Sequence, residues 1–348
     1  LCTDYYEKDS TVMSPYYSTI IPILIQTSAR NDNEYNARAS AYEALSTFVT
    51  YSAQDTMPIV QNIATEVLGR LESSIILQSQ VTTTEDKGNL EELQSNILSL
   101  LTNVIRRLNS EVIIAADNLM DRFIKLLDAQ EQNSLIEEDI FIAVSALSSA
   151  IGGDFIKYLD AFLPYLRKAL QNVESPTCIT AVGLVADLAQ SIGSQMGNYW
   201  ENLLQLLGNA LTNADSKKEL KPAVVSAFGD IATAIGPDFA PYLEFVLRTC
   251  TEAGNIQPQD GSIDTLDFVF NVRESVLDCF VGIVGGFINQ PQALAPAIVT
   301  ILQYLQKVTL DPQMSSSESV ARSAAGLLGD IAAMYPNGEF KQVFTEEW

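Results

Sequence analysis

The stretch AVGLVADLA at residues 181–189 decides the fold class, because related segments occur elsewhere in the chain. Close copies are SAFGDIA at 226–232 and AAGLLGDIA at 324–332, and weaker ones are AYEAL at 41–45, AVSAL at 143–147 and VLDCF at 276–280. Aligned on these segments, equivalent positions fall at 146, 187, 230, 282 and 330, with gaps of 41, 43, 52 and 48 residues. That period is typical of solenoids in which each unit is one helix pair.

The apolar residues are spaced as in helices throughout, which predicts an all-α chain of about seven helical hairpins in an α-α superhelix. Each unit has a first helix, A, rich in Leu, Tyr and Phe, and a second helix, B, that carries the repeated small-residue segment. We predict one solenoid over 1–348, with pairs near 13–52, 54–108, 111–152, 154–193, 197–235, 238–287 and 292–335 and a truncated repeat at 338–348.

Small residues and polar inserts punctuate this pattern. Gly183, Gly229 and Gly329 weaken an isolated helix, and we expect close approach between stacked B helices to compensate for that cost. The polar segments 82–88 and 253–262 depart from the pattern, and we expect them to be loops on one rim of the stack.

The charge balance excludes several classes of partner. Among 348 residues, 43 are acidic and 20 are basic, so the formal net charge is −23. Such a surface repels the phosphates of nucleic acids and anionic membranes, so we expect neither as a partner. It attracts basic partners and accelerates their encounter.

The absence of histidine from the sequence excludes Ser-His-Asp and Cys-His catalytic units and any histidine metal ligand. The four cysteines, Cys2, Cys178, Cys250 and Cys279, have no CxxC spacing, so we expect buried reduced thiols and no zinc site. No apolar run reaches ~18 residues, so we expect no transmembrane helix. We therefore predict a protein without enzymatic activity, cofactor or metal, and we expect a monomer.

Acidic residues recur at related positions of the B helices. Steps of four or eight residues keep side chains on roughly one helical face, so stacked units would line these acids along the inner, concave wall. Arg side chains bind carboxylates in a bidentate fork, so such a row suits a long basic helix. The alternative is that these acids only solvate an exposed face. The six candidate residues are Glu138, Asp187, Asp230, Glu274, Asp278 and Asp330.

Several segments carry a family resemblance. The segments VRE at 272–274, DP at 311–312 and ARSAA at 321–325 resemble HEAT repeats. FGDIATAIG at 228–236, YLEFVL at 242–247 and RESVL at 273–277 are similar to the C-terminal half of the importin-β (karyopherin-β) family of nuclear import receptors. The chain starts at Leu1 rather than Met, so we expect a part of a longer receptor, without the arch that carries the main Ran-binding site.

The resemblance implies a function in nuclear import through the pore, in the cytoplasm, the nucleus and at the nuclear envelope. The inner wall would bind an importin-α adaptor or basic nuclear-localisation cargo, and Ran GTPase would bind mainly outside this chain. Phe-Gly nucleoporins would bind in convex grooves between A helices, where the family's positions correspond to Ile124 and Tyr199. We add Phe162, Leu166 and Leu203 as neighbouring groove walls; their alternative role is ordinary inter-repeat core.

Two other classes of function remain open at this point. A HEAT-repeat scaffold that organises an enzyme complex has the same helices but no need for a row of acids. An enzyme requires a pocket with perturbed ionisable groups, and the sequence offers no candidate.

Overall fold

The computed structural model describes residues 10–30, 35–129, 136–197, 199–258, 262–311 and 317–343, and these ranges contain fourteen α-helices and no strand. The all-α class with about seven hairpins is thereby confirmed. The helices are α1 (Ser14–Ser28), α2 (Tyr35–Thr50), α3 (Met57–Gln78), α4 (Thr84–Leu108), α5 (Ala116–Ala129), α6 (Ile136–Ile151), α7 (Ile156–Gln171), α8 (Pro176–Ile192), α9 (Tyr199–Thr212), α10 (Leu220–Ile235), α11 (Leu243–Gly254), α12 (Ile263–Gly286), α13 (Pro291–Thr309) and α14 (Glu318–Met334).

Odd-numbered helices are the A helices and even-numbered helices are the B helices. The contacts divide the chain into two compact units, 1–162 and 163–348, with the boundary inside α7. In the first unit α2 packs on α4, α4 on α6, and α3 on α5. In the second unit α8, α10, α12 and α14 pack in succession, as do α9, α11 and α13. The single continuous domain stays a prediction.

Four A helices begin later than predicted, because a short 3-10 segment precedes each of them. These segments cover 109–115, 152–155, 193–196 and 236–242. Each begins at a residue with positive φ, namely Asn109 (49°), Gly152 (57°), Gly193 (60°) and Gly236 (57°). Because a positive φ cannot continue a right-handed helix, these positions end the B helices and redirect the chain.

The predicted loop over 82–88 is wrong, since most of that segment is the first turn of α4. The Oγ1 of Thr83 accepts a hydrogen bond from the backbone N–H of Asp86 at 3.1 Å and caps the helix. Glu85 and Asp86 lie in the first turn, where negative charge complements the helix dipole. The polar residues of this segment therefore cap and begin α4, and do not form a loop. In the other insert, α11 ends at Gly254 and α12 begins at Ile263, whereas residues 259–261 lie outside the described ranges.

The predicted close approach of B helices occurs between α10 and α12. A Cβ atom on Gly229 would lie 2.8 Å from the Cα of Cys279, and one on Gly282 would lie 2.7 Å from the carbonyl oxygen of Gly229. At Gly183 and Gly329, by contrast, a Cβ atom would meet nothing within 4 Å. The packing explanation is confirmed for Gly229 and wrong for the other two glycines.

Two stretches, Ile136–Gln171 and Pro176–Met196, are long and apolar enough by length and composition to cross a membrane, and the absence of a transmembrane helix therefore stays a prediction. The first stretch comprises α6, a 3-10 turn and α7. About half of each stretch is buried within the protein, and core helices of soluble proteins pass the same test. Side chains such as Phe141, Leu147 and Leu188 account for the apolar character, because they are fully buried.

The cysteines of the described residues are buried free thiols, as predicted. Burial raises the pKa of Cys178 to about 11. The Sγ atoms of Cys250 and Cys279 lie 4.0 Å apart between α11 and α12. Cys2 lies outside the described residues, as do positions 344–348 of the truncated repeat, in which a 3-10 turn covers Lys341–Val343.

Candidate functional site

Five of the six predicted acids lie on the B helices of the second unit. Asp187 is on α8, Asp230 on α10, and Asp330 on α14, whereas Glu274 and Asp278 are both on α12. Asp230, Asp278 and Asp330 are exposed, and the other two are half-buried. The sixth, Glu138, is half-buried on α6 of the first unit.

The electrostatics of the second unit indicate that Asp187 and Asp230 are neighbours. Although Asp230 is exposed overall, partial desolvation raises its pKa above the ordinary value, and the negative charge of Asp187 raises it further. The pKa of the Cys279 thiol is also raised, mainly by its hydrogen bond with Cys250 and by burial, and the charges of Asp230 and Asp278 add to this effect. These effects indicate that Asp187 on α8 lies near Asp230 on α10, and that Asp230 and Asp278 both lie near the Cys279 thiol on α12.

The glycine contact between α10 and α12 explains this proximity. Asp230 follows Gly229 and Asp278 precedes Cys279, the two residues whose backbones are in closest approach. The hydroxyl of Thr233 donates to the carbonyl oxygen of Gly282 at 3.0 Å and links the same two helices. The negative charge of Asp187 disfavours the ionised form of Asp230, and a cationic partner would relieve this repulsion.

Of the predicted groove residues, Ile124 on α5 and Tyr199 at the start of α9 are half-buried. Phe162, Leu166 and Leu203 are fully buried, each with no exposed area. A peptide cannot contact these three side chains without displacing the core, so the proposed role as groove walls is wrong. Phe162 instead packs edge-on against Phe141 at a ring-centroid distance of 5.3 Å.

Open grooves do lie between neighbouring A helices, but at residues that the sequence analysis missed. In the first unit a cavity of about 300 Å³ lies between α3, the end of α4 and the start of α5. Its lining includes Ala64, Leu68, Ala115 and Ile114, whose side chain is 91% exposed. Most of the lining is apolar, as a groove for an aromatic side chain requires.

The second groove lies between α11 and α13 and has a volume of about 720 Å³. Leu243 and Leu247 form one wall, and Ala293, Pro296 and Ala297 form the other. The run PQALAPA at 291–297 was the available sequence signal, since its small side chains leave space beside the neighbouring helix. Within the described residues, no group of three or more metal-ligating side chains could hold an ion.

Comparison with known protein families finds a match over residues 1–348 to a model described as "Importin subunit beta-1-like, TPR repeats". Importin subunit beta-1 of Saccharomyces cerevisiae is 43% identical over 333 residues, which cover 96% of this chain and 39% of the relative. Importin subunit beta-1 of Schizosaccharomyces pombe is 34% identical over 343 residues, 97% of this chain and 40% of the relative. The chain thus spans about two fifths of the length of these relatives.

Solved structures of importin-β proteins have the same fold as this chain. A crystal structure of importin beta in an ammonium sulfate condition has a TM-score of 0.88 at 33% identity, covering all of this chain and 41% of that one. A Kap95:Nup1 complex has a TM-score of 0.79 at 43% identity, covering 95% of this chain and 38% of that one. A structure of Kap95p with RanGDP has a TM-score of 0.74 at 42% identity, covering 96% of this chain and 40% of that one. The repeat period of 41–52 residues agrees better with HEAT units than with the shorter TPR unit.

Proposed function

The chain belongs to the importin subunit beta-1 family, whose members are transport receptors rather than enzymes, and on this premise we propose that it is the part of a nuclear import receptor that binds basic cargo and nucleoporins. The receptor would pass between cytoplasm and nucleus through the nuclear pore. The single observation that carries the cargo proposal is the succession of acids Asp187, Asp230 and Asp278 on the consecutively packed helices α8, α10 and α12.

The basic partner is a nuclear-localisation segment or the Arg/Lys-rich helix of an importin-α adaptor. Three carboxylates on adjacent helices offer successive Arg side chains of such a helix bidentate partners. Glu274 and Asp330, on α12 and α14, would extend the same surface. Glu138, in the first unit, is proposed as a separate contact for a basic partner. The net charge of −23 would steer the encounter over a longer range.

Charge reversal tests this surface. The variant Asp187→Lys/Asp230→Lys is expected to bind an Arg-rich helical peptide at least tenfold more weakly, with a flatter dependence on salt, because fewer opposite charges face the peptide. Anisotropy titrations at two salt concentrations measure both quantities. The control Asp215→Lys/Glu219→Lys makes the same charge change at exposed positions before α10. Equal weakening in both variants would show a general charge effect and contradict the proposal.

The A-helix grooves are the proposed sites for Phe-Gly repeats of nucleoporins. Burial of one Phe side chain contributes only about 1.5–3 kcal/mol, which suits many weak, rapidly exchanging contacts. The grooves at α3/α5 and α11/α13 provide the apolar space, and Ile124 and Tyr199 are the positions suggested by the family resemblance. The relative Kap95 in complex with Nup1 supports a nucleoporin as partner.

Filling the grooves distinguishes the two sets of positions. Ala64→Trp/Ala297→Trp places bulk in both grooves without removing core residues, whereas Ile124→Asp/Tyr199→Ser changes the positions suggested by resemblance. We expect the first variant to lose most Phe-Gly pull-down with an unchanged melting temperature. Ala325→Trp, at an exposed position on α14, is the matched control. Loss only in the second variant would move the site to Ile124 and Tyr199.

Ran is proposed as a partner of the whole receptor, chiefly through parts outside this chain. The relative Kap95p has been solved with RanGDP, which supports this proposal. The scaffold alternative is disfavoured by the family membership. The monomeric state stays a prediction.

A further inference from the structure

Two cysteines of the second unit form a thiol pair that neither cargo nor Phe-Gly binding uses. Cys250 lies in the second half of α11, and Cys279 lies on α12. Their Sγ atoms are 4.0 Å apart, although the two residues are 29 positions apart in the sequence. Both are free thiols, and neither residue is more than 1% exposed. The fold therefore places two reduced thiols against each other inside the protein.

The separation of the two sulfur atoms is short enough for a disulfide to form between them. An S–S bond is about 2.05 Å long, so the sulfur atoms must approach each other by about 2 Å. Rotation about the Cα–Cβ bonds moves sulfur atoms by distances of this order, so neither helix has to unfold. Cys178 provides a contrast, because the recorded partner of its Sγ atom is the carbonyl oxygen of Leu170 at 3.7 Å.

The two helices that carry the pair differ in how firmly they are held. At Cys279 the backbone of α12 is fixed by α10, because a Cβ atom on Gly229 would lie 2.8 Å from its Cα. The next residue, Phe280, packs edge-on against Tyr304 of α13 at a ring-centroid distance of 5.5 Å. In contrast, α11 has 12 residues and borders the α11/α13 groove on one side. Because a helix with an open side separates more readily from its neighbours, movement of α11 would admit a small oxidant to the pair.

Burial determines the course of the reaction. The hydrogen bond with Cys250 and burial raise the pKa of the Cys279 thiol, so the closed form resists oxidation, which requires a thiolate. When α11 opens, a thiolate attacks one oxygen of hydrogen peroxide and becomes a sulfenic acid. The O–O bond breaks, and the hydroxide that leaves takes up the proton that the thiol released. The second thiol then attacks the sulfenic sulfur, the S–S bond forms, and the sulfenic oxygen leaves with the remaining proton as water.

We propose that Cys250 and Cys279 are an oxidative modification site, at which hydrogen peroxide converts the thiol pair into a disulfide that links α11 to α12. Arg273 already donates to the carbonyl oxygen of Gly254 at 3.1 Å and holds the end of α11 against α12. The disulfide adds a covalent link to the same helix pair. A cross-link restricts the unfolded chain, so the oxidised form is the more stable one.

Peptide mapping of the full chain tests the proposal. Trypsin cuts after Arg248, Arg273 and Lys307, so Cys250 and Cys279 fall in the separate peptides 249–273 and 274–307. After treatment with hydrogen peroxide and alkylation of the remaining thiols, we expect these two peptides to be joined and to separate on reduction. Absence of the joined peptides, or sulfinic acid at either cysteine in their place, would overturn the proposal.

Thermal unfolding checks that the bond fits the folded protein. The oxidised chain is expected to melt about 4 °C or more above the reduced chain, because a disulfide that fits the fold stabilises it. Joined peptides in a chain that melts at a lower temperature would mean that the bond forms only in unfolded molecules, and would also overturn the proposal.

Variants assign the reaction to this pair. Cys250→Ala and Cys279→Ala each leave one thiol of the pair, so neither should gain melting temperature on treatment with peroxide. Cys178→Ala, at a fully buried cysteine on α8, is the matched control and should keep both the joined peptides and the gain. Equal yields of disulfides that involve Cys178 would show unspecific oxidation and contradict the assignment. Mapping of the parent chain decides the proposal even where a variant is unstable.

Discussion

At the scale of single residues, the turn from a B helix to the next A helix depends on one backbone conformation. Three of the four equivalent positions are glycine, Gly152, Gly193 and Gly236, and the fourth is Asn109, with φ of 49°. A side chain is strained at such φ values, whereas glycine adopts them without steric cost. The turn at Asn109 is therefore strained, whereas the three equivalent turns with glycine are not.

Exchanging these residues should change stability in opposite directions. Asn109→Gly is expected to raise the free energy of unfolding by about 1 kcal/mol, because it relieves this strain. Gly193→Ala is expected to lower it by about 1–2 kcal/mol at a position with open space around the added methyl group. Chemical denaturation measures both changes. A loss of stability in Asn109→Gly would mean that the asparagine side chain stabilises the turn.

The carboxylate of Asp230 gives a pH-dependent prediction. Its pKa is raised in the folded protein, so its protonated form is favoured by folding, and the ionised form is a cost at neutral pH. Asp230→Asn should therefore be more stable than the parent at pH 7, by less than about 1 kcal/mol because the residue is exposed. The difference should fade as the pH drops below the ordinary aspartate pKa. Melting temperatures from pH 7 to pH 3 measure it, and an advantage that grows towards acid would contradict the assignment.

At the scale of elements, the B helices are alike in sequence but differ in how closely they pack. Gly183 on α8 lies four residues before Asp187, and Gly229 on α10 lies one residue before Asp230, so the two glycines are three positions apart in the same repeated segment. Only Gly229 meets another backbone, that of α12. The same residue type is thus required by packing in one repeat and is only tolerated in another.

Substitution of alanine at Gly229 and at Gly183 should distinguish a glycine required by packing from one that is only tolerated. Gly229→Ala places a methyl group 2.8 Å from the Cα of Cys279, so α10 and α12 must move apart, and we expect a loss of about 1–3 kcal/mol. Gly183→Ala should increase stability by up to about 1 kcal/mol, because alanine is the better helix former and nothing obstructs it. Thermal unfolding measures both. Equal changes in stability for the two variants would mean that helix propensity alone determines the effect of alanine.

Contacts of one side chain also hold helix ends together in the second unit. Arg273 on α12 is buried and donates to the carbonyl oxygens of Gly254 at 3.1 Å and Ile256 at 3.2 Å. It also forms an ion pair with Asp311 at 2.8 Å. The C-terminal ends of α11 and α13, the two helices that form the α11/α13 groove, are thus both attached to α12.

At the scale of the whole molecule, the net charge of −23 opposes folding while it favours basic partners. Self-repulsion destabilises a compact state, and salt screens it. We expect the melting temperature to rise by about 2–4 °C between low and physiological ionic strength, the shift that ~1 kcal/mol produces in units of this size. Calorimetry at several concentrations of a weakly binding salt measures this. A falling melting temperature would indicate that ion pairs such as Arg273–Asp311 outweigh the repulsion.

Different parts of the site were predictable to different degrees. The repeat register predicted that Asp187, Asp230 and Asp278 lie on B helices, because helical periodicity places residues on a helix without knowledge of the partner helix, and their role in binding stays a prediction. The groove residues did not follow, and Phe162, Leu166 and Leu203 proved to be core. A large apolar side chain on an A helix has the same sequence pattern whether it faces the B layer or a groove, so periodicity cannot separate the two.

The amino-acid sequence by itself determined the all-α class, the repeat period, the family and the acidic character, since each depends on residue type and spacing along one chain. Only the tertiary structure decided which glycine is a contact, where the A-helix grooves open, and that the thiols of Cys250 and Cys279 lie side by side. These properties depend on distances between residues far apart in sequence. Such distances are set by how neighbouring repeats pack, and packing is the result of many side chains acting together.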